Sequence, residues 1–349
     1  MITGICARAI AAGCFIGSFA VATGASADTA KDFYKGHEID LYVGSGAGGG
    51  YDVYARIFAQ DYARFIPGHP NIVVKNMPGA SGLKSANYLY NIAPRDGSAI
   101  LATFNTVMME PLYGDPGVEF DPLKFDWIGS IGKQTGTCIT WHTTGVKTLE
   151  DARQREVLAG ATGGNATPTI FPKILNKYFG TRFKIVNGYT TTGLRLALEK
   201  VEIEAICGIS YQTHMAVSPQ WFKEHEVNVL VQLGLSKNPA LPDVPLAIDL
   251  LKNGDTRDTF KLIVAPQEFG RPILAPPGVP ANRIAALRTA FDKTMKDKQF
   301  LARAEKAKLF VEPLSHTEIE AILKESYSAP KKIVDQAAVF AAQPKQAKK

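Results

Sequence analysis

The chain has 349 residues, 46% of them hydrophobic, with 39 Lys and Arg against 33 Asp and Glu, for a formal net charge of +6. That is enough chain for two lobes of ordinary size, each with a core of its own. The positive excess is modest and gathers in the tail "PKQAKK", with Lys331 and Lys332 upstream, so it marks solvated surface and excludes a nucleic-acid partner.

The N-terminus reads as an export signal. Arg8 is the only charge before Asp28, and "AIAAGCFIGSFAVATGASA" supplies a short apolar run followed by small residues. Ala25 and Ala27 occupy the A-x-A positions, so residues 1–27 are expected to be a signal peptide cleaved after Ala27. The run from Ala9 to Ala22 falls short of the ~20 apolar residues that span a bilayer. Two of the four cysteines survive cleavage, Cys138 and Cys207, both in strand-like runs. In an oxidising compartment they are a candidate disulfide; two separately buried thiols are the equal alternative. Neither has a Cys or His at metal-ligand spacing, and no metal site is expected.

After the leader, strands and helices alternate. "IDLYVGS" reads as a strand, and "YDVYARIFAQDYARFI" as a helix with Val53, Ile57, Phe58 and Tyr62 at helical spacing. "NIVVKNM" is a strand, "LKSANYLYNIA" a helix and "SAILATFN" a strand, the order of a parallel sheet with helices on its faces. Near "FDWIGSIG" the chain passes into a second α/β block. There "EVLAGATGG", "FKIV", "EIEAICGIS" and "NVLVQLGL" are strands, and "TPTIFPKILNKYFG" and "TTTGLRLALEK" are helices. "RPILAPPGVP" is a strand ending in a turn. The helical run that follows breaks near Asp297, and the last begins at a capping box of Ser315 and Glu318.

The glycine-rich stretch "LYVGSGAGGGYDVYAR" carries the question of function. Gly44, Gly46 and Gly49 satisfy G-x-G-x-x-G, yet a dinucleotide site needs an acidic residue about 20 positions on, where Lys75 and Asn76 stand. A phosphate loop needs Lys and Ser or Thr after its last glycine, where Gly50, Tyr51 and Asp52 stand. Ser45 lacks the G-x-S-x-G spacing of a hydrolase elbow, and the six histidines are scattered. His142 and His214 approach strand ends, but a packed or surface histidine is the ordinary reading of each. No catalytic set and no cofactor are expected.

The loops supply something else. Ser45–Asp52, Asn76–Gly82, Asn105–Thr106, Gly160–Pro168, Gly188–Gly193 and the segment containing Ser210 and Tyr211 all follow strands and are rich in Gly, Ser, Thr and Asn. Several open directly into helices. Free amides at a helix start, with the dipole behind them, stabilise an anion without any side-chain charge. Six such loops in two α/β blocks point to two lobes closing on a small ligand. Asp52, in a first helical turn, reads as a brace for its loop. Tyr51, Phe104 and Tyr211 are open between walling an aromatic ligand and filling the core.

"IDLYVGSGAGGGYDVYAR" resembles the first strand, glycine loop and helix of the substrate-binding proteins of tripartite tricarboxylate transporters, the Bug-type family. "VVKNMPGASGLKSANYLYNIAPRDGSAIL" resembles that family's second signature. "DPLKFDWIGSIG", "LPDVP", "LAPPGVPANRIAALRTAF" and "YSAPKKIVDQA" continue the likeness in order. The resemblance implies a two-lobe periplasmic-binding-protein (type II) α/β fold, each lobe a mainly parallel sheet flanked by helices, with the ligand cleft between. Lobe 1 would be 28–132 plus 258–349, and lobe 2 would be 133–257. The implied protein is a monomeric periplasmic receptor that captures a small carboxylate, a di- or tricarboxylate or an aromatic acid. It would deliver this ligand to the transmembrane subunits of the transporter and carry out no chemistry. The alternative is an exported sensing module for a membrane sensor kinase. Carried over, the ligand donors are Ser45, Gly46, Ala47, Gly48 and Gly49, facing Gly163, Gly164, Asn165, Thr190, Thr191 and Thr192, with Tyr51, Asn105 and Tyr211 at the margins. The family's usual Phe-Pro-Pro-Gly-Gly loop lacks its prolines here.

Overall fold

The computed structural model describes residues 1, 29–163 and 166–341. The expected leader with its cleavage site, the loop residues Gly164 and Asn165, and the basic tail lie outside them. Four strands come first: β1 (Glu38–Val43), β2 (Asn71–Asn76), β3 (Ala99–Ala102) and β4 (Asp126–Ser130). The chain then crosses to β5 (Gly136–Trp141), β6 (Val157–Gly160), β7 (Phe183–Val186), β8 (Ala205–Ser210) and β9 (Val227–Leu233). It returns for β10 (Pro272–Ala275) and the two-residue β11 (Leu314–Ser315). Two sheets result, in the orders β11-β4-β10-β3-β1-β2 and β7-β6-β8-β5-β9.

Both sheets are mixed. The strand–helix–strand order produces parallel pairs, β2-β1-β3 in one sheet and β7-β6-β8 in the other. The other half of each sheet is antiparallel: β10 lies between β3 and β4, and β5 between β8 and β9. The reversal comes from the crossings, because a strand that enters from the opposite lobe runs against its new neighbours. Helices cover both faces of the first sheet, and β1 shows why both must be apolar. Ile39, Leu41 and Val43 pack with Phe58, Tyr62 and Phe291, while Tyr42, pointing the other way, packs with Leu89, Leu101 and Trp127.

Local chemistry fixes the helix ends. The long C-terminal helical run does break at Asp297, which closes Ala281–Lys296 and caps Lys298–Lys306 by accepting the Phe300 amide at 3.0 Å. Ser315 and Glu318 form the capping box of His316–Tyr327. The last helix, Lys331–Ala341, lies along Asp255–Val264 and reaches Thr167–Phe179, where Phe340 meets the Tyr178 ring and its carbonyl accepts from Lys173. Among the described residues no helix is long and apolar enough to cross a membrane.

Two local devices hold the architecture where the sheets face each other. Cys138 and Cys207 are register partners across β5 and β8, with Cα atoms 3.8 Å apart, and the structure joins their sulfurs. Asp52 braces the glycine loop after β1. It accepts from the Gly48 amide at 2.9 Å, from Arg56 at 3.0 Å and from Asn76 Nδ2 at 2.8 Å, and Asn76 also donates to the Ser45 carbonyl at 3.0 Å. Gly48 sits at φ +77°, a left-handed turn that costs glycine little and points its amide back at the carboxylate. Burial raises the Asp52 pKa, but the hydrogen bonds from Arg56, Gly48 and Asn76 outweigh it and leave the carboxyl below the ordinary range.

Each device yields a test. In a chain starting at Asp28, thiol titration in denaturant without reductant should find neither cysteine free. Reduction should lower unfolding stability by about 4 kcal/mol from the entropy of the loop it opens. Asp52→Ala should cost about 2–3 kcal/mol in urea unfolding at neutral pH, because three donors lose a charged acceptor. The folded carboxyl titrates below its unfolded counterpart, so the brace is complete above about pH 4 and is lost as pH falls through the folded value. The gap between wild type and variant should therefore narrow in acid; a gap that widens would refute the brace.

Candidate ligand site

A cavity of about 420 Å³ opens between the two sheets. It is walled by the segments that follow the carboxyl ends of the parallel strands in both: 44–51 after β1, 78–82 after β2, 104–106 after β3, Thr162 after β6, 189–192 after β7, and Ser210 and Thr213 after β8. This is where open α/β sheets bind ligands. Among the described residues no charged side chain lines it; the wall is backbone, hydroxyls, two side-chain amides and rings.

The helix Gly50–Tyr62 begins at this wall, with Gly49, Gly50 and Tyr51 lining the cavity. Its N-cap, Gly49, offers no side-chain hydrogen bond, and the nearby carboxylate of Asp52 is turned to Gly48, Arg56 and Asn76. The first-turn amides therefore keep their donors for whatever occupies the cavity. Gly50 has to be glycine because a Cβ there would lie 2.7 Å from the Thr213 side chain. From the other sheet, Thr191–Glu199 also starts at the cavity. Thr190 caps it by accepting the Gly193 amide at 3.0 Å, and Thr190, Thr191 and Thr192 all line the wall.

Tyr51 and Asn105 form the floor. The Tyr51 hydroxyl donates to Asn105 Oδ1 at 3.1 Å and accepts from Gln134 Nε2 at 2.9 Å, and its ring meets Phe104 edge-on at 4.6 Å. Asn105 Nδ2 donates to the Pro266 carbonyl at 2.5 Å, so its amide is committed to structure. Burial holds the Tyr51 phenol above its ordinary pKa although the adjacent Arg271 charge pulls it down, so it stays neutral. Tyr51 is both wall and core, which settles neither alternative alone. Ser81 spans the cleft: its hydroxyl donates to the Gly163 carbonyl at 3.3 Å from a left-handed conformation, φ +53°, beside Ala80 at +44°.

Of the residues singled out in the sequence, Ser45, Gly46, Ala47, Gly49, Tyr51, Asn105, Thr190, Thr191 and Thr192 line the cavity. Gly48 does not, because its amide turns to Asp52. Gly163 presents only its carbonyl, to Ser81. Tyr211 points away and packs between Phe222 and Phe310. Gly164 and Asn165 lie outside the described residues. Ser81, Thr167, Tyr189 and Ser210 stand in the loops the sequence pointed to without being singled out as donors there, and Gln134 and Thr213 were not singled out at all. Neither His142 nor His214 lines the cavity. His214 is buried against Trp221 and Phe222, and burial alone pulls its pKa down to about 3, so it is a neutral core residue.

No protein-family model matches the chain. It is 24% identical over 282 residues, 78% of this chain and 76% of the relative, to a UPF0065 protein of Agrobacterium vitis from the TAR-I ttuE-ttuC' intergenic region. It is 25% identical over 300 residues, 82% and 83% of the two chains, to a UPF0065 protein of Cupriavidus necator from the gbd 5' region. Among solved structures it is similar to a TctC solute-binding protein from Polaromonas, with TM-score 0.60, 19% identity, and 87% of this chain and 99% of that one covered. It is also similar to the periplasmic binding protein BugD, with TM-score 0.68, 19% identity and coverage of 88% and 98%. Rpa4515 of R. palustris, solved with adipate, gives TM-score 0.67, 16% identity and coverage of 87% and 97%. Two mixed sheets flanked by helices, with a cleft between their strand ends, give this chain the type II periplasmic-binding-protein fold of the TctC and BugD solute-binding proteins.

Proposed function

We propose that the protein is an exported solute-binding receptor, cleaved after Ala27, that captures a small carboxylate in the periplasm. It would pass this ligand to the membrane subunits of a tripartite tricarboxylate-type transporter. The observation that carries the reading is the uncapped first turn of Gly50–Tyr62 opening into a cavity with no charged lining. Neutral amides and hydroxyls hold a carboxylate strongly enough to capture it, and without a lining cation they also release it. The similarity to a protein solved with adipate supports the ligand class.

In this reading the lobes are 28–132 plus 258–349 and 133–257. The ligand favours the closed arrangement because it takes hydrogen bonds from Ser45 and the first turn of Gly50–Tyr62 on one side and from Thr190–Thr192 on the other. The receptor carries out no chemistry of its own. Among the described residues, the turned-away Asp52 and the committed Asn105 leave the cavity lining without a nucleophile–base pair, which supports this reading.

A thermal-shift panel of citrate, malate, adipate and benzoate on the chain starting at Asp28 tests this. A ligand at a hundredfold excess over its Kd should stabilise by about 2.7 kcal/mol, a melting rise on the order of 5 °C. Silence across all four acids overturns the proposal.

A further inference from the structure

One cation stands directly behind the cavity wall, and among the described residues no carboxylate neutralises it. Arg271, just before β10, is 3% exposed. Its guanidinium is held between two rings, with the carbon 4.4 Å from the Tyr51 centroid and 4.5 Å from that of Tyr54. It donates to Thr213 Oγ1 at 2.7 Å, with weaker contacts at 3.5 Å to Ser210 Oγ and the Gly270 carbonyl. Its Nε hydrogen has no acceptor. Among the described residues it forms no ion pair with a carboxylate. A buried charge is costly without an opposite partner, and two ring faces offset only part of that cost.

The hydroxyls in front of it are wired toward the cavity. Thr213 and Ser210 both line the wall and sit 2.9 Å apart, oxygen to oxygen. The Thr213 amide donates to Ser210 Oγ at 3.1 Å, and Arg271 donates to Thr213 Oγ1. Each oxygen therefore already accepts a hydrogen, and the pair has two of its own. One joins them and the other is left to point outward, whichever hydroxyl carries it. A cation at the back of such a chain strengthens each successive donor. The first-turn amides of Gly50–Tyr62 open beside it, since Gly50 abuts Thr213.

We propose that Arg271 is a positioning residue that supplies the counter-charge for one ligand carboxylate, acting through the Thr213–Ser210 hydroxyl pair without touching the ligand. The site is thereby matched to an organic acid with one carboxylate seated at this end of the cavity and its body against Phe104 and Ile209. This inference rests on the carboxylate-receptor reading and adds to it the source of the charge selectivity.

The test compares the best responder among citrate, malate, adipate and benzoate with the analogue in which one carboxylate is a primary amide, by isothermal titration. Wild type should prefer the acid by about a hundredfold, ~2.7 kcal/mol. Arg271→Gln should shrink that preference at least tenfold, and Arg271→Lys, which keeps the charge, should restore most of it. A purely structural Arg271 would weaken acid and amide alike and leave the ratio unmoved, which would overturn the proposal. If Arg271→Gln does not fold, Thr213→Val removes the relay and keeps the cation. It too should compress the ratio, and an unchanged ratio there also overturns the inference. Failure of every acid to bind wild type refutes the receptor reading itself. Binding of an acid with unaltered selectivity in the variants refutes only the role of Arg271.

Discussion

Everything about the cavity depends on keeping the first turn of one helix uncapped. Helix starts are ordinarily satisfied by a Ser, Thr, Asp or Asn side chain, and this protein caps several of its helices that way, at Thr190, Asp297 and Ser315. At Gly50–Tyr62 it does the opposite. Gly49 has no side chain to offer, and the carboxylate that would serve, Asp52, is drawn to the loop behind it by Arg56, Gly48 and Asn76. The same contacts that deny the helix a cap make the loop rigid, so donors are presented in a fixed geometry instead of being gathered when a ligand arrives. That preorganisation lowers the cost of binding.

The distribution of charge follows from the same constraint. A lining Lys or Arg would strengthen capture and slow release, and a lining carboxylate would repel the ligand. Among the described residues the wall has neither, and the Arg271 cation is set one layer back behind Tyr51 and Thr213. In the proposed arrangement its field would reach the cavity through neutral groups. The two rings that hold Arg271 are themselves pinned, Tyr51 by Asn105 and Gln134, Tyr54 by its hydroxyl accepting the Phe310 amide at 2.9 Å. The helix Gly50–Tyr62, β10 and the segment before His316–Tyr327 thus converge on one guanidinium, although they are far apart in the chain.

That separation explains what was legible in the sequence. The succession of strands and helices along the chain, the break at Asp297 and the capping box at Ser315 are written in local periodicity and capping chemistry, so they could be read directly. The antiparallel half of each sheet could not, because it depends on where the chain lands after crossing between lobes. The loops around the cavity were legible as loops, but the side chains facing it were less so. After β8, Ser210 is the N-cap and Thr213 the third helical residue, and both turn to the cavity. Tyr211, at the first helical position, rotates back onto Phe222 and Phe310. The Ser-x-x-Thr spacing carried that information through the capping geometry, whereas aromatic character pointed to the wrong residue. Gln134 and Arg271 had no local signal at all, because their partners lie in other segments.

The contact between Ser81 and Gly163 shows how the two halves of the wall meet. Ala80 and Ser81 both hold left-handed conformations that side chains disfavour, and the glycines on either side, Gly79 and Gly82, also have positive φ. Four successive residues of this kind make a sharp turn that lifts the Ser81 hydroxyl across to a carbonyl of the opposite sheet. A single neutral hydrogen bond contributes only about 1 kcal/mol, which the strain of the turn offsets. A ligand taking donors from both sides would add several such bonds at once. The Ser81 bridge joins the Tyr51–Gln134 and Arg271–Thr213 contacts between the two sides of the wall, and in the proposed receptor the occupant of the cavity would add to them.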